Sequence, residues 1–157
     1  MSLHAALVKV EDEKISSEKA KNFISSEENG AESIFTGKVR NENSGKKVTA
    51  VTYDAHDQAV IKSFKSICNS AKNKFDKNAK IFLEHAKGYV PVGEISILIA
   101  VGSGHRDEAF KICRYILEEV KHQSPIWKKE HYVDGKEEWL PGHSLRPKKI
   151  LNEVRKT

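Results

Sequence analysis

Cysteine is scarce in this 157-residue chain. Cys68 and Cys113 are the two that occur. They form no CxxC pair and are too few for a disulfide framework. Both fall on apolar positions of helical stripes, which predicts buried, free thiols. Aromatic residues make up 8% and do not gather along one strand pair, so the stacking platform of a single-strand nucleic-acid binder is not readable. No apolar run approaches the roughly 18 residues of a membrane span. The start, MSLHAALVKVEDEK, lacks the apolar stretch and cleavage site of a secretory signal. A cytoplasmic protein is therefore expected. The seven histidines show no HxH, HExxH or Cys/His spacing, so no metal site is expected. A P-loop and a readable Ser-His-Asp arrangement are also missing, as are internal repeats.

What the chain has is cationic charge. Its net charge is +5 and its isoelectric point about 9.1, which favours an anionic partner: nucleic acid, phosphorylated metabolite or acidic protein. Hydrophobic residues at 38% and charged residues at 31% suit one globular domain over 1–157. Within it, residues 1–29 read as an N-terminal strand, short helix and loop. Residues 141–157 read as a basic tail carrying Arg146, Lys148, Lys149, Arg155 and Lys156.

Periodicity divides the rest. Residues 33–39 and 48–54 read as strands, and the Asn/Ser/Gly-rich segment 41–47 between them as a mobile loop. Val60, Phe64, Ile67, Cys68, Ala71 and Phe75 then recur at helical spacing. Residues 81–85 alternate as a strand, and 94–101 form the most apolar strand candidate, set inside a sheet. A second helical stripe follows: Ala109, Phe110, Cys113, Ile116, Leu117 and Val120. It ends at Ser124-Pro125, because the residue before proline avoids the helical region. Residues 126–133 and 136–140 suit a hairpin about Asp134-Gly135. Neighbouring strands with two long amphipathic helices predict an α+β fold with an antiparallel or mixed sheet.

Three basic clusters are candidates for chemistry. Lys38-Val39-Arg40 closes a strand, where the guanidinium fork suits phosphate or carboxylate; a solvated strand end is the plain alternative. Gly102-Ser103-Gly104-His105-Arg106 joins the apolar strand to a helix, where exposed amides attract anions. It is not a dinucleotide fingerprint, since Asp107 stands at the third glycine position. Lys121 ends the second helix, where a cation also suits the helix dipole. Beyond it, Lys128 follows Ser124-Pro125. A lysine held in a partly dry pocket is a candidate acid, base or nucleophile.

The segments Phe35-Thr36-Gly37-Lys38-Val39-Arg40-Asn41, Val101-Gly102-Ser103-Gly104-His105-Arg106 and Lys121 followed by Pro125-Ile126-Trp127-Lys128-Lys129-Glu130 occur together in an order and spacing that resemble the large, catalytic subunit of molybdopterin synthase, the MoaE family. The resemblance covers roughly residues 30 to 140. Gly104, Ile126 and Lys129 stand where that family often has Ala, Phe and Arg. The resemblance implies a hammerhead-type α+β fold and a homodimer. It also implies a small ubiquitin-like, MoaD-type subunit at each end, with a C-terminal Gly-Gly, completing a heterotetramer. Sulfur carried as a thiocarboxylate on that tail is transferred to cyclic pyranopterin monophosphate (precursor Z) to build the molybdopterin dithiolene. No cofactor of the large subunit's own is implied. By motif, Lys121 and Lys128 are the catalytic lysines, with Lys121 meeting the partner's terminal carbonyl and Lys128 serving proton transfer or charge at the pterin. Arg40, His105 and Arg106 hold phosphate and pterin, and Lys38, Val39, Lys129 and Glu130 line or support the site. A basic nucleic-acid-binding module and a non-catalytic scaffold of the same fold are the alternatives.

Overall fold

The computed structural model describes residues 1–141. It runs β1 (Leu3–Lys9), α1 (Ser17–Ile24), β2 (Ala31–Lys38), β3 (Glu42–Asn43), β4 (Lys46–Ala55), α2 (Asp57–Lys74), β5 (Lys80–Pro91), β6 (Ile95–Ser103), α3 (Arg106–Gln123), β7 (Ile126–Tyr132) and β8 (Glu137–Trp139). All of the basic tail beyond Pro141 lies outside the described residues.

The strands form one mixed sheet ordered β2-β6-β5-β4-β7-β8, with β1 beside β5 and β3 beside β4. The β1–β5 pair is parallel, and every other pair is antiparallel. β5 serves two parts of the sheet: its first half pairs with β6 and its second half with β4. It thereby carries the helix-covered region into the smaller sheet of β4, β7 and β8.

Strand alternation explains the two cores. Ile97, Ile99 and Val101 of β6, with Ile81 and Leu83 of β5, face Val60, Phe64, Ile67, Cys68 and Ala71 of α2 and Ile112, Cys113, Ile116 and Val120 of α3. Leu98, Ala100, Phe82 and Ala86 face the other way, against Ala20 and Ile24 of α1. A strand buried on both faces has no polar side to display, which accounts for the unbroken apolar run in β6. Phe64 is fully buried, and its truncation to Ala would cost about 3–5 kcal/mol.

One element differs from expectation. The polar segment 41–47 is a hairpin, with Glu42↔Lys47 and Asn43↔Lys46 paired. Its turn residues Ser44 and Gly45 both have positive φ, 51° and 79°. That is the primed turn whose twist matches antiparallel strands, so the Ser-Gly pair closes β3 onto β4. Both cysteines are free and buried, as their helical positions predict.

Candidate active site

The cleft is assembled where three chain segments end together. β2 runs antiparallel to β6, so its last residues lie beside the first residues of β6. Gly37 pairs with Ile97 but Lys38 with Ile95, so the register skips Ser96. This bulge needs a glycine: a Cβ on Gly37 would lie 2.6 Å from Cγ2 of Ile97. Beyond it the backbone is clamped, with Val39 N–H donating to Glu94 O at 3.2 Å and Gly93 N–H to Val39 O at 2.9 Å. Val39 is buried in the α1-side core. Lys38 and Arg40 flank it, and alternation turns them to the other side.

α3 supplies the next wall. Lys121 lies in its last turn, and Ser124 closes it, donating N–H to Val120 O at 3.1 Å. Ser124 also bonds Ser63 of α2, Oγ to Oγ at 2.9 Å. After Pro125 the chain turns directly into β7, where Lys128 pairs with Tyr53 of β4. Directly opposed residues share a face, so Tyr53 and Lys128 both look toward the end of α3.

The resulting cleft has a volume of about 640 Å³. Its charged walls are Lys38, Arg40, Lys121 and Lys128, against an apolar floor that includes Phe35, Ile97 and Val120. Two other clefts of similar size differ in charge. One mixes Lys46, Lys47 and Lys136 with Asp134, Glu137 and Glu138; the other mixes Lys9 and Lys87 with Glu11 and Asp54. A cleft of metabolite size lined by cations of one sign is a receptor for an anion.

Neutral polar groups sit between the cations. His85 of β5 is 8% exposed. Its Nδ1–H donates to the Ala86 carbonyl at 2.8 Å, and its ring meets Tyr53 edge-on with centroids 4.9 Å apart. Burial lowers its pKa to about 4, and the charge of Lys128 pushes the same way, against the Ala86 bond. Burial pushes the Tyr53 phenol up; its bond to Ser96 opposes that, and the charge of Glu130 adds to it. Ser96 Oγ donates to Gly37 O at 3.2 Å. Among the described residues no group of three His, Cys, Asp or Glu is gathered to hold a metal.

Comparison with known proteins assigns the chain to a family. The family model described as MoaE protein matches residues 10–123. The molybdopterin synthase catalytic subunit of Synechococcus elongatus is 41% identical over 126 residues, spanning 80% of this chain and 76% of its own. This chain belongs to the MoaE protein family. The crystal structure of molybdopterin synthase from Staphylococcus aureus superposes with a TM-score of 0.80 at 31% identity, over 87% of this chain and 96% of that one. A chain from the complex of subunits 1 and 2 of molybdopterin-converting factor from Helicobacter pylori shares the fold, with a TM-score of 0.65 at 20% identity over 86% and 88%.

Within this MoaE-type framework the motif residues separate. Lys38, Arg40, Lys121 and Lys128 meet in the cleft. Val39 does not line it, because its side chain belongs to the core. Lys129 lies on the opposite face of β7, as strand alternation requires, 3.2 Å from Glu137 and over the Trp139 ring. Glu130 shares the Lys128 face but is 6% exposed behind the cleft wall. It accepts two bonds from Asn43 Nδ2, at 3.0 and 2.9 Å, and one from the Tyr132 hydroxyl at 3.0 Å. It supports the site by fixing β3. His105 and Arg106 begin α3, while Lys121 lies in its last turn. Fifteen helical residues at 1.5 Å each put about 22 Å between Arg106 and Lys121, so the glycine-rich turn does not reach this chain's own cleft. That turn has a structural role: Ser103 Oγ donates to Asp76 at 2.5 Å. Asn43, Tyr53, His85 and Ser96 complete the cleft without belonging to any motif. The one sequence signal is His85 itself, a histidine at the inward parity of Ile81 and Leu83.

Proposed function

We propose that this chain is the catalytic subunit of a molybdopterin synthase, receiving sulfur from the thiocarboxylated C-terminus of a small ubiquitin-like subunit and delivering it to cyclic pyranopterin monophosphate. The observation that carries the reading is the single-sign cleft, in which Lys38, Arg40, Lys121 and Lys128 converge on a space the size of a metabolite. The reaction brings two anions together, a phosphate and a thiocarboxylate. In water they repel, and a cleft of preset cations removes that penalty before chemistry begins. Arg40 suits the phosphate because its planar fork bonds two oxygens at once. Lys121, at the end of α3, meets the acyl oxygen of the incoming tail and stabilises the negative charge that develops there. Lys128, across the turn on β7, moves protons at the pterin. Each transfer makes a carbon–sulfur bond in place of a carbon–oxygen bond of the pterin side chain, one oxygen staying on the phosphate as its ring opens and the other leaving as water. A water molecule then cleaves each acyl–sulfur bond to leave a carboxylate on the partner.

In this reading sulfur arrives on the partner, so neither buried cysteine has a part, and no cofactor of the chain's own is called for. Free thiols fit a reducing, cytoplasmic setting; among the described residues no helix is long and apolar enough to cross a membrane. The partners are a second copy of this chain and one small subunit for each copy. His105 and Arg106, remote from their own cleft, contact substrate only if the second copy of the homodimer presents them.

The test is reconstituted turnover with the pterin phosphate and a thiocarboxylated small subunit, reading molybdopterin as its fluorescent oxidation product. Lys121→Ala and Lys128→Ala should each lower turnover by at least about 10²-fold with far-UV circular dichroism unchanged. Near-normal product from both variants would overturn the assignment of the two lysines. A folded wild-type dimer that binds the small subunit yet makes no product would leave a scaffold. Salt-sensitive nucleic-acid binding without small-subunit binding would return the nucleic-acid reading.

A further inference from the structure

The cleft wall includes a nearly buried imidazole that the anion-binding reading does not use. His85 spends Nδ1–H on the carbonyl of Ala86 at 2.8 Å, which fixes the tautomer and leaves Nε2 as a bare lone pair. The ring is locked as well, wedged edge-on against Tyr53, so Nε2 cannot turn elsewhere. His85 lines the cleft wall, and Nε2 has no partner among the described residues. Of the neighbouring polar groups, Ser96 Oγ donates to Gly37 O and Asn43 spends its Nδ2 on Glu130. The surrounding charged groups, Lys38, Arg40, Lys121 and Lys128, are all donors suited to oxygen anions. A nearly buried acceptor left unpaired costs free energy that a ligand donor recovers.

We infer that His85 is a specificity-determining residue of this cleft, its Nε2 accepting a hydrogen bond from a neutral N–H donor on the heterocycle that carries the phosphate. The inference rests on reading the cleft as a pterin phosphate site and adds which part of that molecule is recognised. The cations hold the phosphate and would hold any phosphate. The imidazole reads the ring, because a pterin carries amide and amine N–H groups that an anion lacks. The burial that makes His85 hard to protonate keeps it an acceptor throughout the neutral range, even beside Lys128. Sites built to bond a specific polar group reject analogues without it far more strongly than apolar pockets do.

The experiment uses the full chain labelled with ¹⁵N-histidine, with the His85 signals assigned from the spectrum of His85→Gln. Cyclic pyranopterin monophosphate should move the His85 Nε2 resonance toward its hydrogen-bonded position and leave Nδ1 in place, whereas inorganic phosphate should move neither. In parallel, pterin fluorescence gives the dissociation constants of the variants. His85→Leu should bind the pterin phosphate about ten-fold more weakly, with inorganic phosphate affinity and small-subunit affinity unchanged. His85→Gln, which restores an acceptor, should recover most of that loss. An Nε2 signal that ignores the pterin, or a His85→Leu variant that folds and binds it like the wild type, overturns the inference and leaves the sulfur-transfer reading intact. Wild-type chain that binds the pterin through His85 but never forms product keeps the inference and removes that reading. No pterin binding at all removes both.

Discussion

Burying a neutral imidazole makes stability depend on pH, and the size of the effect follows from the structure. The pKa of His85 falls from 6.5 to about 4 in the folded chain, mainly because burial penalises the charged ring. Between those values the unfolded chain binds a proton that the folded chain refuses. Stability therefore rises with pH across this window, and it is lost as pH falls from 6.5 toward 4. At 1.36 kcal/mol per pH unit, the fall from 6.5 to about 4 amounts to about 3 kcal/mol in full. About 2 kcal/mol of it is expressed between pH 7 and pH 5. His85→Gln removes the titrating group, so the comparison is one of slopes and is insensitive to a constant loss of packing. Urea unfolding followed by far-UV circular dichroism at about pH 7, 6 and 5 measures both. The wild type should lose about 2 kcal/mol more than His85→Gln over that range. Parallel slopes would refute the argument, since they would mean that the imidazole is protonated in the fold or solvated there.

Other consequences are more local. Arg40→Ala should raise the KM for the pterin phosphate about ten-fold or more, with small-subunit affinity preserved, because a guanidinium–phosphate fork is lost; steady-state kinetics read both. Gly37→Ala forces a Cβ to 2.6 Å from Ile97 Cγ2 and should cost about 1–3 kcal/mol, measured by urea unfolding, with weaker pterin binding because the bulge that aims Lys38 is disturbed. Glu130→Ala removes the acceptor of Asn43 Nδ2 and the nearer acceptor of the Tyr132 hydroxyl and should destabilise by about 1–3 kcal/mol in the same assay. Burial pushes the Cys68 thiol up to about 12 and raises that of Cys113, so a thiol reagent at about pH 8 should find neither until the chain unfolds.

Most of the fold was legible because its elements declare themselves through period. The α2 face of Val60, Phe64, Ile67, Cys68 and Ala71 is buried as its spacing predicts, and Ser124-Pro125 ends α3 where the proline rule puts the break. The hairpin at Glu42–Asn43 was not legible, since polar residues signal loops and tight turns alike. What decides it is positive φ at Ser44 and Gly45 together with pairing to Lys46 and Lys47. The sheet order was not legible either. β5 passes from pairing with β6 to pairing with β4 through contacts remote in sequence, and no local pattern encodes them.

The candidate site divides along the same line between local and non-local information. Lys128, Lys129 and Glu130 are adjacent in the motif, yet strand alternation sends the first to the cleft and the second to the far face. Glu130, back on the first face, is buried under Asn43. Lys38, Val39 and Arg40 split the same way, with the valine in the core. A motif identifies three residues as a unit, but a strand gives consecutive side chains opposite surroundings. Helix length makes the complementary distinction: the turn before α3 and the lysine at its end share an element but stand about 22 Å apart. His85 belongs to no motif and lines the cleft near the point where β5 changes partner from β6 to β4, its ring meeting Tyr53 from the neighbouring strand. A charged motif can therefore be recognised from sequence by its composition. A neutral acceptor whose character depends on burial and on one backbone carbonyl becomes visible only when the strands are in register.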